Sequence, residues 1–330
     1  MTVLVTGGAG YIGSHTVRAL RRDGRDVVVL DSLELGHRAA VLDAPLVVGD
    51  IADHDLVTTV CRDYGVTGVV HFAAYKSVGE SMHSPGKYWN NNVGKSAALF
   101  DSLAMCGVSA VVFSSSCSVY GTPDTVPVAE DAAIRPESVY AESKAIVERI
   151  LAWYSRTNHL RSVSLRYFNA AGASDDALIG EDWTHSINLV PVVMKAALGR
   201  RGPVEVFGTD YPTADGTCVR DYIHVDDLAA AHLAALDYLS GGGATAAVNV
   251  GTGIGSSVLE VIRATERIAG VDVPHTLGPR RAGDPIATYA RPDHAAQLLG
   301  WRATRSLDDI ITSAWRWHSA HPDGYGLTAG

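Results

Sequence analysis

The sequence predicts an α/β fold, a doubly wound parallel sheet with a smaller C-terminal α/β substrate lobe, and three observations lead there. Short apolar runs recur at residues 3–5, 27–30, 46–48, 69–72, 110–113 and 163–166, separated by longer stretches with helical spacing. Unbroken runs of this kind suit strands buried on both faces, as in a parallel sheet covered by helices. The first run meets glycines at Gly7, Gly10 and Gly13, and a helical pattern follows over Tyr11–Arg22 with Ile12, Val17 and Leu20 on one face. Beyond Ala173 the alternation loosens, and the segment to Asn188 is polar and irregular. At 330 residues the chain also exceeds the usual size of one hydrophobic core. The expected division is 1–176 for the sheet domain and 177–330 for the second lobe, with some segments, such as 225–250, returning to the first.

The glycine turn carries the first functional signal. Glycine lets the backbone approach a ligand closely, and the free N–H groups and positive dipole end of the helix beyond it attract phosphate. A glycine cluster alone is more often a plain turn. Here the second apolar run ends at Asp31, where a carboxylate can accept hydrogen bonds from an adenosine ribose. Strand, turn, helix and aspartate together predict a Rossmann-type domain that holds an NAD-type dinucleotide.

Farther along, the run at 46–48 ends in Gly49-Asp50-Ile51. Asp50 either meets the adenine amino group or serves as a turn or cap aspartate. Ala73-Ala74 follow the next run and are small enough to let a cofactor lie against the sheet edge. Residues 85–106 read as one long helix containing Asn90, Asn91 and Asn92, poor helix formers that need another reason: a cofactor contact or a solvated face. The run at 110–113 delivers Ser114, Ser115 and Ser116 to the carboxyl end of a strand, where open parallel sheets gather ligands. A serine hydroxyl there is placed for catalysis, although serine runs are also common in loops.

Tyr140 and Lys144 stand four apart on a helix, with Cβ atoms about 5–6 Å from each other. The lysine cation would favour the phenolate, drawing the tyrosine pKa down from about 10 and making it a general base for a hydroxyl. Two arginine-bearing loops follow, Val219-Arg220-Asp221-Tyr222 and Arg280-Arg281-Ala282-Gly283-Asp284. Guanidinium groups grip phosphate bidentately, so a diphosphate-linked substrate is the sharper reading and surface ion pairs the plainer one. Helices are expected over 226–238, after an aspartate cap, and over 258–268 and 307–317, with a strand at 248–250.

Hydrophobic residues make up 47% and charged ones 19%, the balance of a globular chain with a well-supplied core. A formal net charge of −9 speaks against a nucleic-acid-binding surface, while local arginines can still meet anionic metabolites. No stretch is long and apolar enough to span a membrane, and the first residues enter a strand with no basic and apolar leader. Cys61, Cys106, Cys117 and Cys218 lack metal-ligand spacing, so no metal is expected. They read as small apolar residues of a reducing, cytoplasmic protein.

With Thr6-Gly7-Gly8-Ala9-Gly10-Tyr11-Ile12-Gly13, Ser114-Ser115-Ser116 and Tyr140-x-x-x-Lys144 in place, the chain resembles the extended short-chain dehydrogenase/reductase family. Within it, the chain looks like the branch that epimerises UDP-hexoses at C4. The likeness runs nearly end to end. It rests also on Gly49-Asp50-Ile51, His71-Phe72-Ala73-Ala74, Lys76-Ser77-Val78-Gly79-Glu80-Ser81, Leu165-Arg166-Tyr167-Phe168-Asn169 and Gly180-Glu181-Asp182. Two late motifs are more specific still: Asp215-Gly216-Thr217-Cys218-Val219-Arg220-Asp221-Tyr222-Ile223-His224 and Arg280-Arg281-Ala282-Gly283-Asp284.

The resemblance implies that Gly7, Gly10, Tyr11, Ile12, Gly13, Asp31, Asp50, Ile51, Phe72, Ala73, Lys76, Asn92, Tyr140, Lys144 and Tyr167 hold NAD. It implies that Ser116, Tyr140 and Lys144 act on the sugar. Asn169, Asn188, Leu189, Phe207, Arg220, Arg281, Asp284 and Thr288 would enclose the UDP-sugar, with Tyr167 bordering it. It further implies a homodimer built through the helices near residues 92–106 and 140–154. Two positions depart from the family pattern. Val139 stands where a proline often precedes the catalytic tyrosine, and Thr288, four residues after Asp284, stands where a tyrosine or cysteine often sets sugar size. The rival readings are a dehydratase or decarboxylase of the same superfamily and a non-catalytic NAD-sensing protein. Related dehydratases carry an Asp-Glu pair after the strand-end hydroxyl, where this chain has Cys117-Ser118.

Overall fold

The structure is a computed structural model that describes residues 1–184, 186–281 and 283–326; Ala282, within the second arginine motif, lies outside the described residues. The first half runs β1 (Thr2–Thr6), α1 (Tyr11–Arg22), β2 (Asp26–Asp31), β3 (Leu46–Val48), α2 (His54–Tyr64), β4 (Val66–His71), α3 (Val78–His83) and α4 (Pro85–Tyr88). A π-helical stretch, Trp89–Lys95, leads into α5 (Ser96–Met105), β5 (Ala110–Ser114), α6 (Val139–Thr157) and β6 (Arg161–Tyr167). The second half contributes β7 (Asn169–Ala171), α7 (Leu189–Ala197), β8 (Val204–Phe207), β9 (Val219–His224), α8 (Val225–Ser240) and β10 (Ala246–Val250). It ends with β11 (Gly255–Ser257), α9 (Val258–Ala269), β12 (His275–Gly278), β13 (Ala287–Thr288), α10 (Asp293–Leu299) and α11 (Leu307–Ala320).

Among the described residues, seven strands form one parallel sheet in the order β10-β6-β5-β4-β1-β2-β3. All of β5, and Val3, Leu4 and Val5 of β1, are buried, because helices cover both faces. That is why the apolar runs are unbroken rather than alternating. From β1 the chain builds outward through β2 and β3, then returns to β4 and builds the other way. The crevice at the carboxyl ends of β1 and β4 is therefore the topological switch point, the place where such sheets bind ligands. Segment 225–250 belongs to this sheet: α8 packs on α1 through a core that includes Ala231, Ala235 and Leu236, and β10 pairs with β6.

The smaller lobe is built around β9, which pairs antiparallel with β11 and parallel with β7 and β13, while β8 and β12 form a separate parallel pair. Its core joins Val193 and Met194 of α7, Val261 and Ile262 of α9, and Ile310 and Ile311 of α11. Two local expectations change. The helix over 85–106 is interrupted by the π-helical stretch that contains all three asparagines, a wider turn held by tertiary hydrogen bonds rather than by propensity. The cap of α8 is His224, whose Nδ1 accepts from the Asp226 N–H at 3.1 Å, because the Asp226 carboxylate is turned to His15 at 2.7 Å.

The glycine turn is explained by packing at two of its three glycines. Gly7 has φ +72°, and a Cβ there would stand 2.6 Å from the Ala73 backbone nitrogen. A Cβ on Gly13 would fall 2.2 Å from the Gly7 carbonyl oxygen, so α1 can approach the turn only without a side chain. At Gly10 a Cβ would meet only that same oxygen, at 3.3 Å. Gly13→Ala is expected to cost ~1–3 kcal/mol of unfolding free energy in urea through overpacking. Gly10→Ala is expected to stay within ~0.5 kcal/mol of the parent. Equal costs would show that packing does not distinguish the two positions.

Candidate active site

Gly10 precedes α1 with no side-chain hydrogen-bond cap, and the first turn holds no acidic residue. The N–H groups of Tyr11 and Ile12 therefore open a helix terminus whose own first turn supplies no acidic side chain, which suits a diphosphate. The Tyr11 phenol points elsewhere, donating to the Gly172 carbonyl at 2.7 Å, while the Ile12 side chain packs into the sheet core. Asp31 lies at the end of β2. Its Oδ2 accepts from the Ala9 N–H and its Oδ1 from the Leu33 N–H, both at 2.9 Å, which fixes the carboxylate and leaves lone pairs for ribose hydroxyls. Phe72 and Ala73 both donate backbone N–H bonds to the Thr6 carbonyl, at 2.9 and 3.2 Å, locking the loop after β4 against β1. The space in front of Gly10 and this donor set fit a dinucleotide.

At the far side, Asp50 Oδ1 accepts from the Ala52 N–H at 2.9 Å and Oδ2 pairs with Lys95, which holds the carboxyl below its usual range against a desolvation that opposes it. Asp50 is thus a turn aspartate with its oxygens oriented, and Ile51 is buried beside it. Asn92 departs from the cofactor contact implied above. Its Oδ1 accepts from the Tyr75 N–H at 2.9 Å and from Asn91 at 3.1 Å, and its Nδ2 donates to the Tyr75 carbonyl at 3.0 Å and Ser143 Oγ at 3.2 Å. All four hydrogen-bonding positions of the amide are engaged inside the protein, so it braces the Tyr75 loop against α6. Lys76, next in that loop, is exposed, with Nζ 3.5 Å from Glu181 Oε1.

The serine run at the end of β5 divides into three tasks. Ser114 Oγ lies 2.8 Å from the Tyr167 hydroxyl, and its carbonyl accepts the Lys144 ammonium at 2.8 Å. Ser115 Oγ donates to Glu148 Oε1 at 2.5 Å. Ser116 Oγ accepts from the Ser118 N–H at 3.2 Å and the Ser118 hydroxyl at 2.9 Å, which leaves its own proton to be donated to the Tyr140 phenol. Tyr140 begins α6. Val139 in place of proline does not loosen that start, because Ser138 caps the Ala141 N–H at 3.2 Å and Ser81 Oγ accepts from the Tyr140 N–H at 3.1 Å. Tyr140 and Lys144 are both buried, with Nζ 5.8 Å from the phenol ring centre.

Their electrostatics correct the expectation from spacing alone. In the protein by itself, burial, with Tyr167 close by, pushes the Tyr140 phenol far above its ordinary range, opposed by a hydrogen bond from Ser116. Burial also lowers Lys144 to about 7, with the Glu148 carboxylate opposing it. A desolvated lysine directed at a carbonyl cannot offset the desolvation of its neighbour. Phenolate formation therefore needs a further positive charge in the site. Glu148 had no assigned role, although it stands four residues after Lys144, the same spacing that singled out the pair. Its carboxylate is held by Arg166 at 2.6 Å, and Arg166 donates to the Tyr120 hydroxyl at 2.8 Å.

In the smaller lobe, Arg220 Nη1 donates to the Val219 and Pro285 carbonyls at 2.8 and 2.9 Å, and Nη2 stands 3.7 Å from Asp284 Oδ1. Arg281 clamps the same carboxylate at 2.7 and 3.0 Å and lies 5.5 Å over the Phe207 ring. Asp284 thus gathers both arginines beside the end of β8. Arg280 instead pairs with Asp210 at the surface. Thr288 sits opposite Arg220 in the pairing of β13 with β9; it is buried, and its hydroxyl has no hydrogen-bond partner among the described residues. The Tyr289 ring lies against Gly255, where a Cβ would stand 3.3 Å from it.

Asn169 and Asn188 are exposed: Asn169 donates to the Asp221 carbonyl at 3.2 Å, and Asn188 opens α7 ahead of the half-buried Leu189. The buried Asp221 carboxylate, quoted above only as part of a motif, accepts from the Thr252, Gly253 and Ala290 N–H groups at 2.9, 3.1 and 3.1 Å. It ties the loops after β10 and β13 to β9, and so places Arg220 and Thr288.

Residues 3–251 match the model of the NAD dependent epimerase/dehydratase family. The chain is 45% identical over 328 residues to the UDP-glucose 4-epimerase of Lacticaseibacillus casei, covering 99% of each chain. Among solved structures it is similar to the Brucella ovis UDP-glucose 4-epimerase in complex with NAD, at a TM-score of 0.94 and 45% identity, covering 96% of this chain and 97% of that one. It is also similar to a Stenotrophomonas maltophila UDP-glucose-4-epimerase with bound NAD and formylated UDP-arabinopyranose, at a TM-score of 0.95 and 42% identity, covering 98% and 99%. A glycine turn at the switch point of the sheet, a serine, tyrosine and lysine buried beside it, and likeness over nearly the whole length lead to one conclusion: the chain belongs to the NAD dependent epimerase/dehydratase family.

Proposed function

We propose that this protein is an NAD-dependent isomerase that inverts C4 of UDP-hexoses, interconverting UDP-glucose and UDP-galactose through a transient 4-keto sugar. The observation that carries the reading is the burial of Ser116, Tyr140 and Lys144 together at the end of β5, beside a glycine cradle that fits a dinucleotide. Likeness to UDP-glucose 4-epimerases over nearly the full chain supports it. When bound, NAD supplies the hydride acceptor and donor that no side chain here can provide, and a positive charge beside the phenol.

Gly7, Gly10, Tyr11 and Ile12 would hold its diphosphate at the start of α1, with Gly13 allowing α1 to pack against the turn. Asp31 would hold the adenosine ribose, and Asp50 and Ile51 would border the adenine. Phe72, Ala73, Lys76, Tyr140, Lys144 and Tyr167 would line the nicotinamide side, with Asn92 acting through the Tyr75 loop. This cofactor half is residues 1–176 together with 225–250, and the rest of 177–330 forms the UDP-sugar half.

Tyr140 accepts the proton of the sugar 4-hydroxyl, Ser116 donates its hydrogen bond to the Tyr140 oxygen, and Lys144 stabilises the phenolate. Arg220 and Arg281 hold the diphosphate while the ketone turns over, with Asn169, Asn188, Leu189, Phe207 and Asp284 around it. Tyr140 then returns the proton to O4 as C4 is reduced on its other face. The dehydratase alternative needs an acid and a base after Ser116. Burial pushes the Cys117 thiol up to about 12, and the Ser118 hydroxyl is directed to Ser116, so neither can serve.

A second copy of the chain docks along α5 and α6. The family resemblance implies it, and the exposed Met105 of α5 and Trp153 of α6, with Trp89 in the π-helical stretch before α5, support it. No helix among the described residues is long and apolar enough to cross a membrane. Cys61, Cys106, Cys117 and Cys218 carry no disulfide, in keeping with a reaction in the cytoplasm.

Protein purified without added nucleotide is expected to release NAD on denaturation and to interconvert UDP-glucose and UDP-galactose with none supplied, the epimers being resolved chromatographically. Tyr140→Phe should lower this turnover by at least ~10²-fold while UDP still binds. Absence of nicotinamide from the denatured protein, with NAD required in every cycle, would overturn the reading.

Thr288 predicts substrate range. Threonine leaves room for an N-acetyl group at C2 where a tyrosine would close the wall, and a roomier pocket rejects a smaller sugar by only ~1–3 kcal/mol. UDP-N-acetylglucosamine and UDP-N-acetylgalactosamine should therefore interconvert as well, and Thr288→Tyr should remove that activity while sparing the first. No turnover of the N-acetylated pair by the wild type would contradict this role.

A further inference from the structure

The Glu181 side chain is only 4% exposed, yet its partners come from both halves of the molecule. From the smaller lobe, Ser186 Oγ donates to Oε1 at 2.8 Å and Asn188 Nδ2 donates to it at 3.4 Å. From the loop after β4, Lys76 Nζ stands 3.5 Å from the same oxygen. The backbone at this point is held from behind. The Glu181 carbonyl accepts from Trp317 Nε1 at 3.0 Å, and the Tyr325 hydroxyl accepts from the Gly180 N–H at 3.1 Å and donates to its carbonyl at 3.0 Å. A Cβ on Gly180 would lie 2.4 Å from the Trp317 ring, so this segment cannot slide along α11. The neighbouring Asp182 also reaches the cofactor half, meeting His37 Nε2 at 2.7 Å, and the His37 N–H donates to the Ala9 carbonyl in the glycine turn at 2.9 Å.

A fixed backbone therefore sends two carboxylates across to the loops that surround the cofactor cradle. A buried carboxylate is costly unless its charge is compensated. Lys195 of α7 acts on Glu181 at longer range, and the cation within ion-pair distance among the described residues is the Lys76 side chain, which is 64% exposed and only at the edge of bonding distance. One oxygen thus takes a tight bond from the UDP-sugar side, a long one from Asn188, and a loose, exchangeable ion pair from the cofactor side. Whatever orders Ser186 and Asn188 also orients the oxygen that Lys76 meets.

We propose that Glu181 is a positioning residue that couples the two ligand sites, so that filling the UDP-sugar side draws Lys76 over the cofactor and slows NAD release. The inference rests on the reading of Lys76 as an NAD contact and Asn188 as a UDP-sugar contact. By reciprocity, bound NAD tightens UDP binding by the same factor.

The test uses the NAD-loaded protein, with NAD release followed by exchange against an excess of a fluorescent NAD analogue, with and without saturating UDP. In the wild type, UDP should slow release by at least ~fivefold. Glu181→Gln keeps the shape and removes the charge; it should bring the ratio of the two rates to within ~twofold of one without lowering the melting temperature of the apoprotein. Ser186→Ala removes only the contact from the smaller lobe; it should reduce the ratio in part, and it decides the matter if Glu181→Gln does not fold. A merely structural role would speed release equally with and without UDP and leave the ratio unchanged. That result, or a wild-type ratio of one with UDP bound, would overturn the coupling alone. Failure of UDP to bind the wild type in calorimetry would overturn the functional reading beneath it.

Discussion

A lysine ammonium buried beneath the end of β5 and held by a backbone carbonyl is the constraint around which the site is arranged. Lys144 donates to the Ser114 carbonyl, and its burial brings its own pKa to about 7. Glu148, one turn farther along α6, opposes that fall, and Arg166 compensates Glu148 in turn. The serine run, the capped start of α6 and the Arg166 network all serve to hold this pair in place. The same burial keeps the Tyr140 phenol protonated in the protein alone. On the proposed mechanism, a base whose ionisation required the charge of bound NAD would be available only while the hydride acceptor is present, which would guard against proton removal with no partner for the hydride.

The fold supplies that arrangement by topology. Because the sheet reverses its order between β1 and β4, the glycine turn and the Phe72 and Ala73 loop meet over one crevice, pinned to each other through Thr6. Return of α8 and β10 to the sheet places β9, and with it Arg220 and Asp221, at the mouth of that crevice from the other lobe. The proposed catalysis would ask for little motion of the protein, with the diphosphate anchored while the sugar turns.

What could be read from the sequence was what local backbone rules determine. The parallel sheet, the turn at Gly7 and Gly13, the Asp31 carboxylate and the shared face of Tyr140 and Lys144 all follow from spacing and residue type. The remainder depends on packing between distant segments. Three asparagines looked like a cofactor contact or a solvated face, and Asn92 instead became a brace because Tyr75 and Ser143 meet it in space. The sign of the Tyr140 shift depends on burial that no spacing rule reports. Glu181 and Asp221 stood inside quoted motifs without a role, since their partners lie in other loops. The two arginine loops could not be sorted by sequence either: Arg280 and Arg281 pair with Asp210 and Asp284 while remaining largely exposed, whereas Arg220 is mostly enclosed.

Ionisation of Tyr140 that is conditional on bound nicotinamide is tested most directly by titrating tyrosinate absorbance in the NAD-loaded protein, with Tyr140→Phe as the reference. One tyrosine should titrate well below about 10 in the loaded wild type, be missing from the Tyr140→Phe protein, and move above that value when NAD is stripped. A Tyr140 that titrates at the same pH with and without NAD would contradict the account.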